Sequence, residues 1–106
     1  MKILIMLTAL AAPIALTHPA SAEMQAIDRL KSGQPPDIAS FIDRQAGCQH
    51  WSGESPFDAE RSADIKKALR ELKCQALARD ERQLRTRYAK SPDALRALDQ
   101  ARDLSY

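Results

Sequence analysis

The hydrophobic positions along this chain fall into blocks of different character. Behind Lys2 comes an uncharged apolar run from Ile3 to Leu16, followed by Thr17-His18-Pro19-Ala20-Ser21-Ala22, which ends in a small-x-small pattern. A charged start, a short apolar stretch and small residues at the cut describe a secretory signal peptide, with cleavage expected after Ala22. The run is short for a membrane span and no second apolar stretch follows it, so no stable membrane anchor is expected after cleavage. No cysteine near the cut offers a site for a lipid anchor.

Beyond the leader the spacing turns helical. Glu23 to Leu30 has room for two turns, and Lys31-Ser32-Gly33-Gln34-Pro35-Pro36 stops them, because glycine frees the backbone and proline lacks an amide donor. Residues 23–36 therefore read as a flexible N-terminal arm. Ile38, Phe41 and Ile42 share one helical face behind Asp37, a candidate cap, which predicts a first core helix from Ile38 to Ala46. Gly47 stands where a left-handed C-terminal residue is favoured. Cys48 to Glu54 shows no helical period and reads as a loop. Ser55-Pro56-Phe57-Asp58 then has the form of a helix start, with Ser55 as N-cap and Asp58 closing a capping box.

On the long helix that follows, Arg61, Ile65, Ala68, Leu69, Leu72 and Ala76 make one stripe. Cys74, Leu77, Leu84 and Tyr88 make a second, rotated stripe. Two stripes imply two neighbours, or a break near Ala78-Arg79-Asp80. Ser91-Pro92 repeats the cap logic for a last helix whose face is Ala94, Leu95, Leu98 and Ala101. No alternating valine-rich run predicts a strand. The fold class expected is all-α, a small bundle or hairpin of about three core helices over residues 37–106.

Composition sharpens this picture. About 84 residues remain after the leader, a size at which a core buries only about 60% of the unfolded surface. The two cysteines, Cys48 and Cys74, read as a disulfide in an exported chain rather than as a metal or redox pair. Closing that loop removes about 3.5 kcal/mol of unfolded-state entropy in the chain-entropy treatment. The formal charge of +2 falls to +1 when Lys2 leaves with the leader. Arginines from Arg79 to Arg102 alternate with Asp80, Glu81, Asp93, Asp99 and Asp103, the pattern of solvated helix faces. Without an aromatic ladder beside them, they do not describe a nucleic-acid surface.

The densest polar cluster is His50, Trp51, Glu54, Asp58, Glu60 and Arg61, next to Cys48. As metal ligands, His50, Glu54 and Asp58 lack the spacing that puts ligands on one helical face. As a carboxylate hydrolase, Glu54 with Asp58 or Glu60 would have to flank a cleft, whereas both of the latter already serve a helix N-terminus. His50 can act as a base, but no free cysteine or nucleophile elbow accompanies it. No catalytic residue, metal or cofactor is assigned. Trp51 is either a plug beneath the loop or an exposed anchor.

The residues Phe41-Ile42-Asp43-Arg44, Cys48-Gln49-His50-Trp51, Gly53-Glu54, Phe57-Asp58-Ala59-Glu60-Arg61, Cys74, Leu84-Arg85 and Arg87-Tyr88 resemble a group of small exported proteins of Gram-negative bacteria. The resemblance covers most of residues 37–104 and implies a location and a fold but no activity. A cysteine in a long helix followed by Leu and Tyr is also similar to the LprI-type lysozyme inhibitor domain, which is helical and disulfide-bonded and often richer in cysteine. The expectation is a periplasmic or secreted, non-catalytic interaction module. Its contact surface is placed at His50 to Glu54 and the adjoining helix start, its partner is a periplasmic or extracellular protein, and a lysozyme-inhibitor-like binder is one form of it. A small metal-dependent or carboxylate-based hydrolase and a purely structural envelope protein are the alternatives.

Overall fold

The computed structural model describes residues 9–11 and 19–104; the leader expected over residues 1–22 therefore lies largely outside the described residues. Five α-helices follow one another: α1 (Pro19–Lys31), α2 (Pro36–Ser52), α3 (Ala59–Glu71), α4 (Leu77–Arg87) and α5 (Pro92–Asp103), with a single 3₁₀ turn, Cys74–Ala76, between α3 and α4. Among the described residues there is no strand. The fold is all-α, with Cys48 and Cys74 joined as a disulfide.

The core is built by α2, α4 and α5, with α1 laid against it. Ile38, Phe41 and Ile42 of α2 meet Leu84 of α4 and Ala94, Ala97, Leu98 and Ala101 of α5, and Ile27, Leu30, Leu77 and Tyr88 close its edges. The small side chains of α5 let its backbone come close to α2. Ser91 caps α5 as expected, its hydroxyl accepting from the Ala94 amide, and Pro92 takes the first turn.

Residues 23–36 are not an arm. The segment up to Lys31 is the body of α1, which packs on α2 and α5 through Ile27 and Leu30. Lys31 Nζ donates to Asp43 Oδ1 at 2.9 Å. The stop was placed correctly, because α1 ends at Lys31 and Gly33 adopts φ +74. What the charged sequence hid is that two apolar residues suffice to dock a helix whose polar face stays in water. The expected cut after Ala22 falls in the first turn of α1, ahead of both packing residues.

α2 begins at Pro36 and runs six residues beyond the expected end, through His50 and Trp51 to Ser52. The stripe of α2 continues through Gln45 and Cys48, and Gln45 is 6% exposed although polar, so the apolar period looked broken where the helix continues. Gly47 sits inside the helix, not at its end. A Cβ there would stand 3.0 Å from Leu72 Cδ1, so glycine at this position permits close approach of the α3 end. Asp37 lies in the first turn and accepts from the Ile38 amide at 2.9 Å. It also accepts from Tyr88 Oη at 2.7 Å and Arg87 Nη1 at 2.6 Å. The Tyr88 hydrogen bond is the chief reason its carboxyl lies below the ordinary value of 3.8. A carboxylate depressed in the folded state stabilises above the ordinary range and loses that contribution as pH falls through the depressed value.

The long helix is two helices, and the break lies at Leu72 and Lys73 rather than near Ala78. Lys73 adopts the left-handed conformation, φ 53 and ψ 47, a position that costs a non-glycine residue about 1 kcal/mol. Arg44 of α2 holds the break from one side. Its Nε donates to Leu72 O at 2.9 Å, its Nη2 to Lys73 O at 3.1 Å and its Nη1 to Asp80 Oδ2 at 2.9 Å. A cation on the last carbonyls of α3 and a carboxylate in the first turn of α4 each suit the local helix dipole. The Arg44 hydrogen bond is likewise the leading cause that holds the Asp80 carboxyl below its usual range.

One turn further along α2, Cys48 binds Cys74 immediately after the break, with the Cα atoms 5.7 Å apart. This staple matters most to α3, whose one buried residue is Ile65 and which packs chiefly on α2 and the 3₁₀ turn. Replacing Cys48 with serine should therefore lower unfolding stability by about 2 to 4 kcal/mol. Denaturant titration of the oxidised wild type against the variant checks this, and an unchanged midpoint would contradict it.

Candidate functional site

Four of the six residues in the expected polar cluster come together at the corner where α2 passes to α3. His50 and Trp51 lie on the last helical turn of α2, so they are presented by a helix and not by a loop. Gly53 caps that turn, its amide donating to Gln49 O and His50 O, and the Glu54 amide donates to Trp51 O at 3.3 Å. The chain is thus turned tightly enough for the Glu54 side chain to fold back. Glu54 Oε1 lies 3.4 Å from His50 Nε2, and Glu54 Oε2 accepts from Arg61 Nη2 at 2.9 Å.

The Arg61 guanidinium completes a ring of contacts. Its Cζ stands 5.2 Å from the centroid of the Trp51 ring, within cation–π range. Trp51 in turn meets the edge of His50, with ring centroids 5.5 Å apart and planes at 80°. Trp51 is half-buried, which places it between the plug and the anchor weighed from sequence. His50 is the most open member of the set.

The remaining two residues serve α3. Asp58, not Ser55, is the N-cap, with Oδ1 accepting from the Arg61 amide at 2.7 Å. Glu60 is exposed in the first turn, where a carboxylate is favoured by the free amides. Asp58 therefore faces helix amides while Glu54 faces Arg61 and His50, and the two do not form a facing pair of carboxylates. Among the described residues, no three His, Cys, Asp or Glu side chains are grouped so as to hold a metal ion.

One residue of this corner was not singled out from sequence. Phe57, between Pro56 and the cap Asp58, is 80% exposed. It belongs to neither apolar stripe of the predicted helix, and a large aromatic residue outside every stripe was the available signal. The ends of its segment are tied by the Gly53 turn, by the Asp58 cap and by the Glu54–Arg61 pair that spans it. Phe57 thus stands in water on a connection of few free residues.

No family model, no curated protein and no solved structure matches this chain.

Arg61→Ala removes both the stack on Trp51 and the ion pair with Glu54. Because Trp51 is the chain's single tryptophan, its emission should shift to the red while helical circular dichroism is retained. The stability loss should be about 0.5 to 2 kcal/mol. An unchanged emission spectrum would show that the ring of contacts does not form in solution.

Proposed function

We propose that this chain is an exported, non-catalytic protein-interaction module that uses the α2–α3 corner as its contact surface. The observation that carries this reading is Phe57, an aromatic side chain 80% exposed on a connection braced at both ends. Aromatic side chains are favoured anchors at protein interfaces. A braced segment has little conformational entropy left to lose when it binds. His50, paired with Glu54 at the same corner, supplies an exposed polar group.

The chemistry of the corner favours binding over turnover. Both oxygens of Glu54 are engaged, one by Arg61 and one by His50, and Asp58 is occupied by its helix. Export rests on the leader pattern, and the Cys48–Cys74 disulfide is compatible with an oxidising compartment. No helix among the described residues is long and apolar enough to cross a membrane. A lysozyme-inhibitor-like binder is one concrete form of this proposal, resting on the distant resemblance of the cysteine-bearing helix.

Site-directed photocrosslinking in a Gram-negative host tests the proposal. A benzophenone side chain at position 57 should give a discrete protein adduct in the periplasmic fraction, and one at position 82, exposed on α4, should not. The uncrosslinked chain from that fraction should have the mass of a protein beginning at Glu23. No adduct from positions 50 and 57, or the same adducts from position 82, would overturn the contact surface and favour a purely structural role. A chain retaining Met1 to Ala22 would overturn export.

A further inference from the structure

The cations at the C-terminal end of α3 contrast with most of the arginines of α4 and α5. Along α4 and α5, Arg79 pairs with Asp80, Arg85 with Asp99 and Glu81, Arg96 with Asp93, and Arg102 with Glu81. Lys66 and Arg70 on α3 and Lys73 in the break that follows it are exposed, and none of them pairs with a carboxylate among the described residues. Lys66 and Arg70, four residues apart, share one side of α3, whose buried residue is Ile65.

These three cations border a groove of about 780 Å³ at the α3–α4 break. Leu69 and Ala76 contribute apolar lining, and Ser52 at the end of α2 and the disulfide-bonded Cys74 line it as well. The groove lies where α3 ends at Glu71 and the chain turns at Lys73. Its position is set by the Arg44 hydrogen bonds and the disulfide, so the three cations are carried on a fixed frame.

We propose that this groove binds an extended acidic peptide segment supplied by a partner protein. Charge complementarity selects the sign. Spacing selects the form: residues four apart on a helix are separated by about 6 Å along its axis, and alternate residues of an extended chain by about 6.6 Å. Carboxylates at alternate positions therefore match Lys66 and Arg70, and Lys73 meets a further one. The side chains between those carboxylates point to the other side of the extended chain, away from the groove. The open shape suits a chain laid along the groove and does not enclose a small molecule. This surface is distinct from the α2–α3 corner around Phe57, and the inference does not depend on that corner's role.

Fluorescence anisotropy on the disulfide-intact chain tests it. The probe is a short fluorescein-labelled peptide of alternating glutamate and serine, compared with its glutamine counterpart. The glutamate peptide should bind, with the glutamine peptide weaker by about tenfold or more, and binding should weaken with added salt. Paired Lys66→Glu and Lys73→Glu should weaken binding by about tenfold or more, as should paired Lys66→Gln and Lys73→Gln if reversal harms folding. Lys90→Glu on the α4–α5 connection and Phe57→Ala at the separate corner should each change it by less than about twofold. Equal binding of the glutamine peptide would overturn the proposal. So would equal loss in Lys90→Glu, or binding to phosphatidylglycerol vesicles with none to the peptide.

Discussion

Arg44 donates from three guanidinium nitrogens into the break between α3 and α4, and the placing of α3 and of the break depends on it. Leu72 O is a carbonyl that the end of α3 leaves without an intrahelical partner, and Lys73 O, which accepts from the Ala76 amide at 3.0 Å, takes a second donor. A half-buried carbonyl without a partner would cost about 1 to 3 kcal/mol, and a guanidinium can serve two at once. The third nitrogen reaches Asp80 in the first turn of α4, so one side chain satisfies the end of one helix and the start of the next. Its stem lies near Phe41, with the guanidinium carbon 6.0 Å from that ring's centroid, which ties the clamp to the core.

The same stretch of α2 supplies two further conditions. Gly47 leaves room for Leu72, and Cys48 binds Cys74 on the far side of Lys73. Positions 44, 47 and 48 are neighbours on a helix surface, so one patch of α2 receives three consecutive features of the break. The left-handed Lys73 is tolerated because this patch determines the backbone on both sides of it. Without the patch α3 would hold on by Ile65 and little else. Both exposed surfaces described above follow from this arrangement: the α2–α3 corner lies at one end of α3 and the cationic groove at the other.

Local signals in the sequence were legible and long-range ones were not. Ser91-Pro92 and the Gly33-Pro35-Pro36 stop act on their own few residues, and the structure has the α5 cap and the α1 end where those residues put them. The Cys48–Cys74 pairing followed from there being two cysteines. The break at Lys73 has no glycine or proline to announce it, because its cause is an arginine 29 residues away. The extent of α2 was hidden by Gln45, which is buried although polar, and by Gly47, whose role depends on a leucine in another helix. Within the candidate site, Glu54 and Arg61 were legible as a polar cluster and do pair. Asp58 and Glu60 were legible twice over, and their helix-start chemistry is the reading the geometry supports.

Hydrogen exchange on the Arg44→Lys variant, with the disulfide intact, tests the clamp most directly. Lysine keeps the charge but cannot reach two carbonyls and a carboxylate from one planar group. Amides from Leu72 to Ala76 and along α3 should exchange faster by about tenfold or more, while those of α5 keep wild-type protection. Unchanged protection at Leu72 to Ala76, or a loss spread evenly over α3 and α5, would contradict the account.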